Sequence, residues 1–221
     1  MLFSYVDKAL ILEYTFHIDY AQFFIRTSSS MKNSFFALIF RQRYIKRWGL
    51  MRNVNDENLA EHSAQVAMTA HALALIGNKY FGKNYDLGNI SIAALYHDST
   101  EVYTGDMPTP IKYFTPEMRN NYKKIENNAV SLLLSHLPED FKEDYKEILD
   151  YPEELEVIIK AADKLCAYIK CIEELKCGNN EFLSARDSTF ASMKAMGCPE
   201  LDYFIDNFLP PFELTLDEIQ K

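Results

Sequence analysis

The chain has 221 residues, 48% of them hydrophobic, which is enough to bury a sizeable core within one domain. Its net charge of -9 excludes a broad nucleic-acid-binding protein, because such proteins neutralise phosphates with surplus basic residues. Only 7 glycines and 8 prolines argue against a many-turned all-β fold, and long segments rich in Leu, Ala, Glu and Lys predict an all-α fold.

The first thirty residues differ from the remainder in being rich in aromatic side chains. Asp7, Glu13 and Asp19 interrupt their apolar runs, which fits neither a membrane span nor a signal peptide. We interpret residues 1–30 as an N-terminal extension. It is either an accessory helix or an upstream start assigned before Met31, and the second is favoured. Residues 31–221 are predicted to form the functional domain.

A first helix is predicted from Met31 to Ile45. Between Lys32 and Asn55 the chain has six basic residues and no acid: Lys32, Arg41, Arg43, Lys46, Arg47 and Arg52. In an acidic chain this cluster is the best candidate for binding phosphate, since arginine makes forked contacts to phosphate oxygens. Trp48, the only tryptophan, can shape a pocket for a flat ring. A solvated basic helix end with a buried tryptophan explains the same residues.

The second predicted helix begins at a cap, Asn55 or Asp56, and runs to Gly77. Its apolar stripe has three–four spacing: Leu59, His62, Val66, Thr69, Leu73 and Ile76. His62 therefore lies on the buried face, either as a satisfied core residue or as a metal ligand. His71 lies on the opposite side and cannot share an ion with it.

A third helix is predicted from Leu87 to Val102, and it places His97, Asp98 and Glu101 on one side. Imidazole and carboxylate together suit Zn, Mn, Fe, Co or Ni. A surface acid pair beside a buried histidine is the plainer interpretation. The loop after Gly105 contains Asp106 and Thr109, which can bond either a ligand's hydroxyls or their own turn.

Charged amphipathic helices are predicted from Glu117 to Leu137 and from Glu139 to Leu149, followed by a long helix that Asp150 caps and Gly178 ends. The dipole at a helix C-terminus explains His136. Asp163 lies at the edge of the apolar face of the long helix. A carboxylate there needs a partner, for which Lys160, Lys164 or a metal would serve. Two shorter helices and a tail complete the chain.

The four cysteines include no C-x-x-C pair, so neither a zinc ribbon nor a thioredoxin-type motif is indicated: Cys166, Cys171, Cys177 and Cys198. Reduced, core-filling thiols are the default in such a helical pattern. That pattern suits a reducing, cytosolic setting.

Taken together, His62, the His97–Asp98 pair and Asp163 offer two imidazoles and two carboxylates. This is a complete ligand set for one divalent ion, with positions left for water and substrate. The order H…HD…D resembles the HD-domain superfamily of metal-dependent phosphohydrolases. The chain is similar, more closely, to the bacterial HD-domain 5′-deoxynucleotidases from about Met31 to the C-terminus. The segments that carry this similarity are Arg47–Val54, Glu61–Met68, Tyr96–Lys112, Ala162–Tyr168 and Glu173–Leu183.

The resemblance implies an all-helical HD-domain bundle with its metal site between helices, in a cytoplasmic, homodimeric enzyme. The enzyme would remove the 5′-phosphate from deoxyribonucleoside monophosphates and discriminate against ribonucleotides. By the same similarity, one divalent ion, Co²⁺ or Mn²⁺, would be held by four residues: His62, His97, Asp98 and Asp163. His97 and Asp163 would also face the substrate.

The resemblance also assigns the remaining roles. Arg47 would orient the phosphate, Trp48 would crowd the 2′ position of the sugar, and Glu101 would act in catalysis. The sugar side of the nucleotide would meet the loop residues Asp106, Met107, Pro108 and Thr109. Alternatives that keep the same metal site are a nucleoside triphosphate hydrolase, a phosphodiesterase and a non-catalytic nucleotide-binding protein.

Overall fold

The computed structural model describes residues 33–112 and 114–221, and the predicted extension of residues 1–30 lies outside them. In this part of the chain no β-strand forms, and Lys46 and Asn58 make one isolated antiparallel bridge. The predicted all-α fold is confirmed. The α-helices are α1 (Phe35–Ile39), α2 (Leu59–Tyr80), α3 (Leu87–Tyr96), α4 (Glu101–Thr104), α5 (Thr109–Lys112), α6 (Pro116–Ser135), α7 (Lys142–Leu149), α8 (Glu153–Lys176), α9 (Leu183–Lys194), α10 (Pro199–Asn207) and α11 (Leu216–Ile219). Short 3₁₀ helices cover Phe40–Tyr44, Glu139–Phe141, Asn180–Phe182 and Pro210–Glu213.

Helix α2 is the centre of the bundle, and it packs against α3, α8 and α10, while α9 covers another side of α8. Its three–four apolar spacing buries Val66, Leu73 and Ile76 against the inward faces of α3 and α8. Gly77 belongs to the same face, and a Cβ there would meet Tyr85 at 2.8 Å. Because α2 and α8 are both central and long, side chains near their contact are held in well-defined positions.

The first turn of α2 is closed by Asn58, not by the predicted Asn55 or Asp56. The Asn58 side chain accepts hydrogen bonds from the backbone N–H groups of Ala60 and Glu61. In turn, the Asn58 backbone N–H donates to the Glu61 carboxylate. This reciprocal capping box satisfies donors that a helix start otherwise leaves free. Asn55 is instead drawn towards α8, where its backbone N–H donates to Glu174.

The predicted third helix, Leu87 to Val102, is wrong as a continuous element. Helix α3 ends at Tyr96, residues 97–100 form turns, and α4 begins at Glu101. The backbone between them forms hydrogen bonds to the third residue before, as in a 3₁₀ turn. Ser99 N–H donates to the Tyr96 carbonyl and Glu101 N–H donates to the Asp98 carbonyl, both at 3.0 Å. This break sets where His97 and Asp98 point.

Further boundaries differ from the predictions. Helix α2 continues past the predicted end at Gly77 to Tyr80, and the helix predicted from Glu139 begins as a 3₁₀ turn. The first helix ends at Ile39 and continues only as a 3₁₀ turn, since the backbone leaves helical geometry at Ile45 to pair with the start of α2. Asp150 ends α7 and does not cap α8, whose first turn follows Pro152. None of the helices within residues 33–112 and 114–221 combines the length and the hydrophobicity that a membrane span requires.

Candidate metal centre and nucleotide site

Four predicted metal ligands meet where α2, α8 and the turn after α3 converge. One donor atom from each of His62, His97 and Asp98 lies within 4.8 Å of the other two. Asp163 on α8 joins them, since its Oδ1 is 3.0 Å from His62 Nε2. Asp98 Oδ2 lies 3.0 Å from His97 Nε2 and 3.7 Å from His62 Nε2. The structure therefore brings all four side chains together.

Buried imidazole nitrogens that make no aligned hydrogen bond indicate that this cluster fits a cation. His62 Nδ1, His62 Nε2 and His97 Nε2 are buried, and none makes an aligned hydrogen bond. Such atoms are costly unless something binds them. His97 Nδ1 lies 2.8 Å from the Ala94 carbonyl, which makes Nδ1 the donor in this bond and turns Nε2 towards the cluster. Two imidazole and two carboxylate donors suit a borderline divalent ion.

The acids of the cluster are held ionised. Burial opposes ionisation of Asp98, but the charges of His97, His62 and Arg47 keep its pKa well below the usual range. Burial likewise opposes ionisation of Asp163, and the adjacent His62 lowers its pKa to about 2. Carboxylates that stay charged at neutral pH are ready to bind a cation without releasing a proton.

Arg47 reaches the cluster from the segment that precedes α2. Its NH1 lies 3.7 Å from Asp98 Oδ2, and its Nε donates to Glu57 Oε2 at 3.0 Å. Burial would lower the pKa of Arg47, yet the charges of Asp163, Glu57 and Asp98 raise it. A guanidinium fixed beside a metal centre can bind a phosphate oxygen with its terminal nitrogens.

Trp48 is held in a strained backbone conformation next to Arg47. Its φ is 58°, the only positive value of a non-glycine residue in the described chain. Its indole Nε1 donates to Glu57 Oε2 at 3.0 Å, and its ring centroid lies 5.3 Å from that of Phe182. Strain of this kind persists only where surrounding contacts hold it, and it is concentrated at functional sites.

Glu101 opens α4 one turn beyond the cluster and is buried, with Oε2 lacking a partner. Burial and the charges of Asp98 and Asp106 raise the pKa of Glu101 to about 9. Lys112 on α5 opposes this shift, but it is engaged by Glu126 at 3.0 Å. Glu101 is therefore a carboxyl group that can hold a proton at neutral pH beside the metal cluster.

The predicted sugar-contacting loop follows α4 directly. Gly105 has a φ of 70°, which allows the chain to turn there without a Cβ clash. Asp106, Met107 and Pro108 are half-buried, and Asp106 is close enough for its charge to raise the pKa values of Arg47 and Glu101. Thr109 is described as the first residue of α5. The loop thus borders the side of the site that holds Arg47 and Glu101.

Several other predicted groups lie elsewhere. Of the basic cluster, Arg47 alone among the described residues approaches the metal centre, because Lys46 pairs with Asp56 and Arg52 pairs with Glu181 at the surface. Lys160, one of the three partners predicted for Asp163, pairs with Glu156 instead, and the Asp163 carboxylate lies against His62. His71 is exposed, and His136 bonds Ser34 at 2.8 Å.

Sequence reasoning missed two acids that hold this site. Glu57 accepts from both Arg47 and Trp48, yet its position before the cap of α2 resembles that of any solvated acid. Glu174 is fully buried and accepts from Lys170 and from the backbone N–H groups of Val54 and Asn55. One signal was available in the sequence. Lys170 and Glu174 are four residues apart, as in the ion pairs common on solvated helix surfaces, but they stand within an apolar stretch of α8.

The fold is similar to that of solved HD-domain proteins. An HD-domain phosphohydrolase from Listeria innocua matches with a TM-score of 0.71 and 23% identity, over 85% of this chain and 92% of that one. The cyanophage S-2L HD phosphohydrolase, solved with dA and one catalytic Zn²⁺ ion, matches with a TM-score of 0.60 and 21% identity, over 81% and 96%. At these identities the likeness establishes the fold.

Closer relatives carry the assignment to a family. A 5′-deoxynucleotidase from Vibrio vulnificus is 50% identical over 191 residues, covering 85% of this chain and 98% of the relative. One from Vibrio parahaemolyticus is 51% identical over 193 residues, covering 86% and 100%. The family model described as 5′-deoxynucleotidase YfbR-like matches residues 34–212. The chain belongs to the YfbR-like 5′-deoxynucleotidase family.

Proposed function

We propose that this protein is a metal-dependent 5′-deoxynucleotidase, a phosphoric monoester hydrolase that converts deoxyribonucleoside 5′-monophosphates to deoxyribonucleosides and phosphate. The observation that carries this proposal is the convergence of His62, His97 and Asp98 within 4.8 Å, with Arg47 3.7 Å from Asp98. A ligand set for a cation beside a fixed guanidinium suits a phosphate monoester. The names of the relatives at about half identity support the same activity.

One divalent ion would be held by His62, His97, Asp98 and Asp163, and Co²⁺ or Mn²⁺ is proposed. When bound, it would activate water and polarise a phosphoryl oxygen. The mixed imidazole and carboxylate donors support a borderline ion over Mg²⁺, which prefers oxygen ligands. Asp163 is 40% exposed at its side chain while His62 is fully buried, so the side of the cluster near Asp163 is open to substrate.

Arg47 would bind the phosphate with its terminal nitrogens and offset the charge that develops on it in the transition state. Glu101 would transfer a proton at the reacting group, and its burial near the charges of Asp98 and Asp106, which raises its pKa, supports that role. Cleavage of the P–O5′ bond leaves an alkoxide that must take up a proton. We propose that the carboxyl group of Glu101, which can hold a proton at neutral pH, would supply it.

Trp48 would exclude ribonucleotides by crowding the 2′ position, since a flat ring near C2′ leaves no room for a hydroxyl. Its bond to Glu57 and its contact with Phe182 support a rigid ring, which steric exclusion requires. The segment Asp106 to Thr109 would contact the sugar. None of these groups reads the base, so several bases would be accepted.

A homodimer in the cytoplasm is also proposed. Helix α6 exposes an apolar stripe with seven-residue spacing, in which Met118, Ile125 and Leu132 are 41%, 48% and 47% exposed. Such a stripe is typical of a helix that packs against another chain. The four cysteines are free, as expected for a reducing compartment. Light scattering of the purified protein would give its mass in solution.

The test is phosphate release from dAMP and AMP by metal-stripped protein after Co²⁺, Mn²⁺, Mg²⁺ or Zn²⁺ is restored singly. We expect metal-dependent release from dAMP, little from AMP and none from Asp98→Ala. His62→Gln should lose bound metal, whereas His71→Gln, an exposed change on the same helix, should retain it. Folded protein that binds an ion yet releases no phosphate with any metal would contradict the proposal. Release of triphosphate from dATP would identify a triphosphate hydrolase instead.

A further inference from the structure

One carboxylate oxygen links the two side chains assigned to substrate recognition. Glu57 Oε2 accepts from Arg47 Nε and from Trp48 Nε1, each at 3.0 Å. Glu57 is only 8% exposed, so water competes little for that oxygen. Charge-assisted bonds to a buried carboxylate are stronger than neutral ones. The positions of the guanidinium and the indole are therefore not independent.

The backbone adds a second constraint on the same three residues. Arg47 N–H donates to the Glu57 carbonyl at 3.0 Å, beside the isolated bridge between Lys46 and Asn58. Glu57 immediately precedes the cap of α2, the helix that carries His62. The position of the Glu57 carboxylate is therefore fixed relative to α2, which carries the metal ligand His62.

The conformation of Trp48 requires such support. A φ of 58° is unfavourable for a residue with a large side chain, and it persists only where neighbouring contacts hold it. Those contacts are the bond to Glu57, the Phe182 ring, and the Asn53 side-chain amide, which donates to the Trp48 carbonyl at 3.3 Å. Of these, Glu57 alone bonds the indole nitrogen.

Resting on the proposed function, we propose that Glu57 is a positioning residue that couples phosphate binding by Arg47 to deoxyribose selection by Trp48. The shared oxygen occupies Arg47 Nε and turns the terminal nitrogens towards Asp98 and the phosphate. It also holds the indole plane at one distance from C2′. Glu57 touches neither substrate nor metal in this role. Its loss should change turnover and sugar selectivity together, which loss of either partner alone would not do.

The test compares Glu57→Gln and Glu57→Ala in the full-length, metal-loaded protein. Glutamine keeps the size and one oxygen acceptor, whereas alanine removes the acceptor. We expect kcat/KM for dAMP to fall about 10- to 100-fold in Glu57→Ala, as for a misplaced catalytic group, and less in Glu57→Gln. The ratio of dAMP to AMP activity should also fall, and it should fall more in Glu57→Ala than in Glu57→Gln. A purely structural loss would lower both activities equally and leave that ratio unchanged.

Fluorescence gives a readout that does not depend on activity, because Trp48 is the only tryptophan. In Glu57→Ala the indole loses its hydrogen bond, so its emission should shift and acrylamide should quench it more strongly. The matched control is Asp56→Asn, which removes the neighbouring carboxylate that pairs with Lys46 at the surface. That variant should keep the wild-type fluorescence and selectivity. Metal content should be unchanged in all three variants.

Unchanged fluorescence and an unchanged dAMP to AMP ratio in folded Glu57→Ala would overturn the proposal, even if activity fell. A loss of metal in that variant would also overturn it, since Glu57 would then act through the metal centre. If the wild-type protein fails to hydrolyse dAMP, the proposed function fails on its own. The fluorescence comparison would in that case still decide whether Glu57 holds Trp48.

Discussion

The buried ion pair between Lys170 and Glu174 provides a sharp test of how the site is supported. Their side chains are 4% and 0% exposed, and Lys170 Nζ lies 2.6 Å from Glu174 Oε1. Lys170 also donates to the Asn55 carbonyl, while Glu174 accepts from Val54 N–H and Asn55 N–H. The pair thus fastens the segment after Trp48 to α8. The perturbation is Lys170→Met, which keeps the aliphatic bulk and removes the ammonium.

The magnitude follows from burial. Removing one partner of a buried pair costs about 3–5 kcal/mol, because the other charge is left uncompensated. Glu174 would still accept from Val54 and Asn55 and from Asn179 Nδ2 at 2.8 Å, which argues for the lower end, about 3 kcal/mol. For a chain of this size, that loss corresponds to a fall in Tm of about 6–12 °C.

The same helix contains the control. Lys160 and Glu156 form a pair of the same sequence separation, but their side chains are 60% and 41% exposed. Lys160→Met should cost only about 0.3–0.5 kcal/mol, since water and salt screen an exposed pair. Urea unfolding followed by circular dichroism would measure both variants against the wild type. Equal free energies of unfolding for the two variants would refute the argument that burial makes the Lys170–Glu174 pair important.

Two further predictions concern the sugar pocket and acid stability. Trp48→Ala should weaken discrimination between dAMP and AMP more than it lowers turnover on dAMP, and equal losses on both substrates would count against steric exclusion. Burial opposes ionisation of Glu174, yet bonds from Lys170 and backbone N–H groups lower its pKa from 4.5 to about 2. This carboxylate therefore stabilises the fold above pH 4.5, and the stabilisation is lost as pH falls towards about 2. Urea midpoints measured between pH 5 and pH 3 should fall less in Glu174→Gln than in the wild type.

The sequence alone determined the fold class and predicted which side chains form the candidate metal site. Apolar residues three and four apart predicted α2 and α8, and the same periodicity put His62 on a buried face. The pairing of His97 with Asp98 and the edge position of Asp163 predicted that these residues share a site with His62, and the structure brings the four side chains together. The buried positions could be predicted because helix period is a local property that side-chain order records directly.

Tertiary structure decided which side chains meet. Sequence order could not single out Arg47 from the other basic residues near it, since the direction of each side chain depends on the break after Ile39 and the bridge to α2. The periodicity of a single helix likewise could not predict that the helix ends at Tyr96, or that Asp163 lies against His62 on another helix. Glu57 became recognisable only once Arg47 and Trp48 were seen on one of its oxygens. Contacts of this kind join elements through turns and packing, and periodicity along one helix carries no information about them.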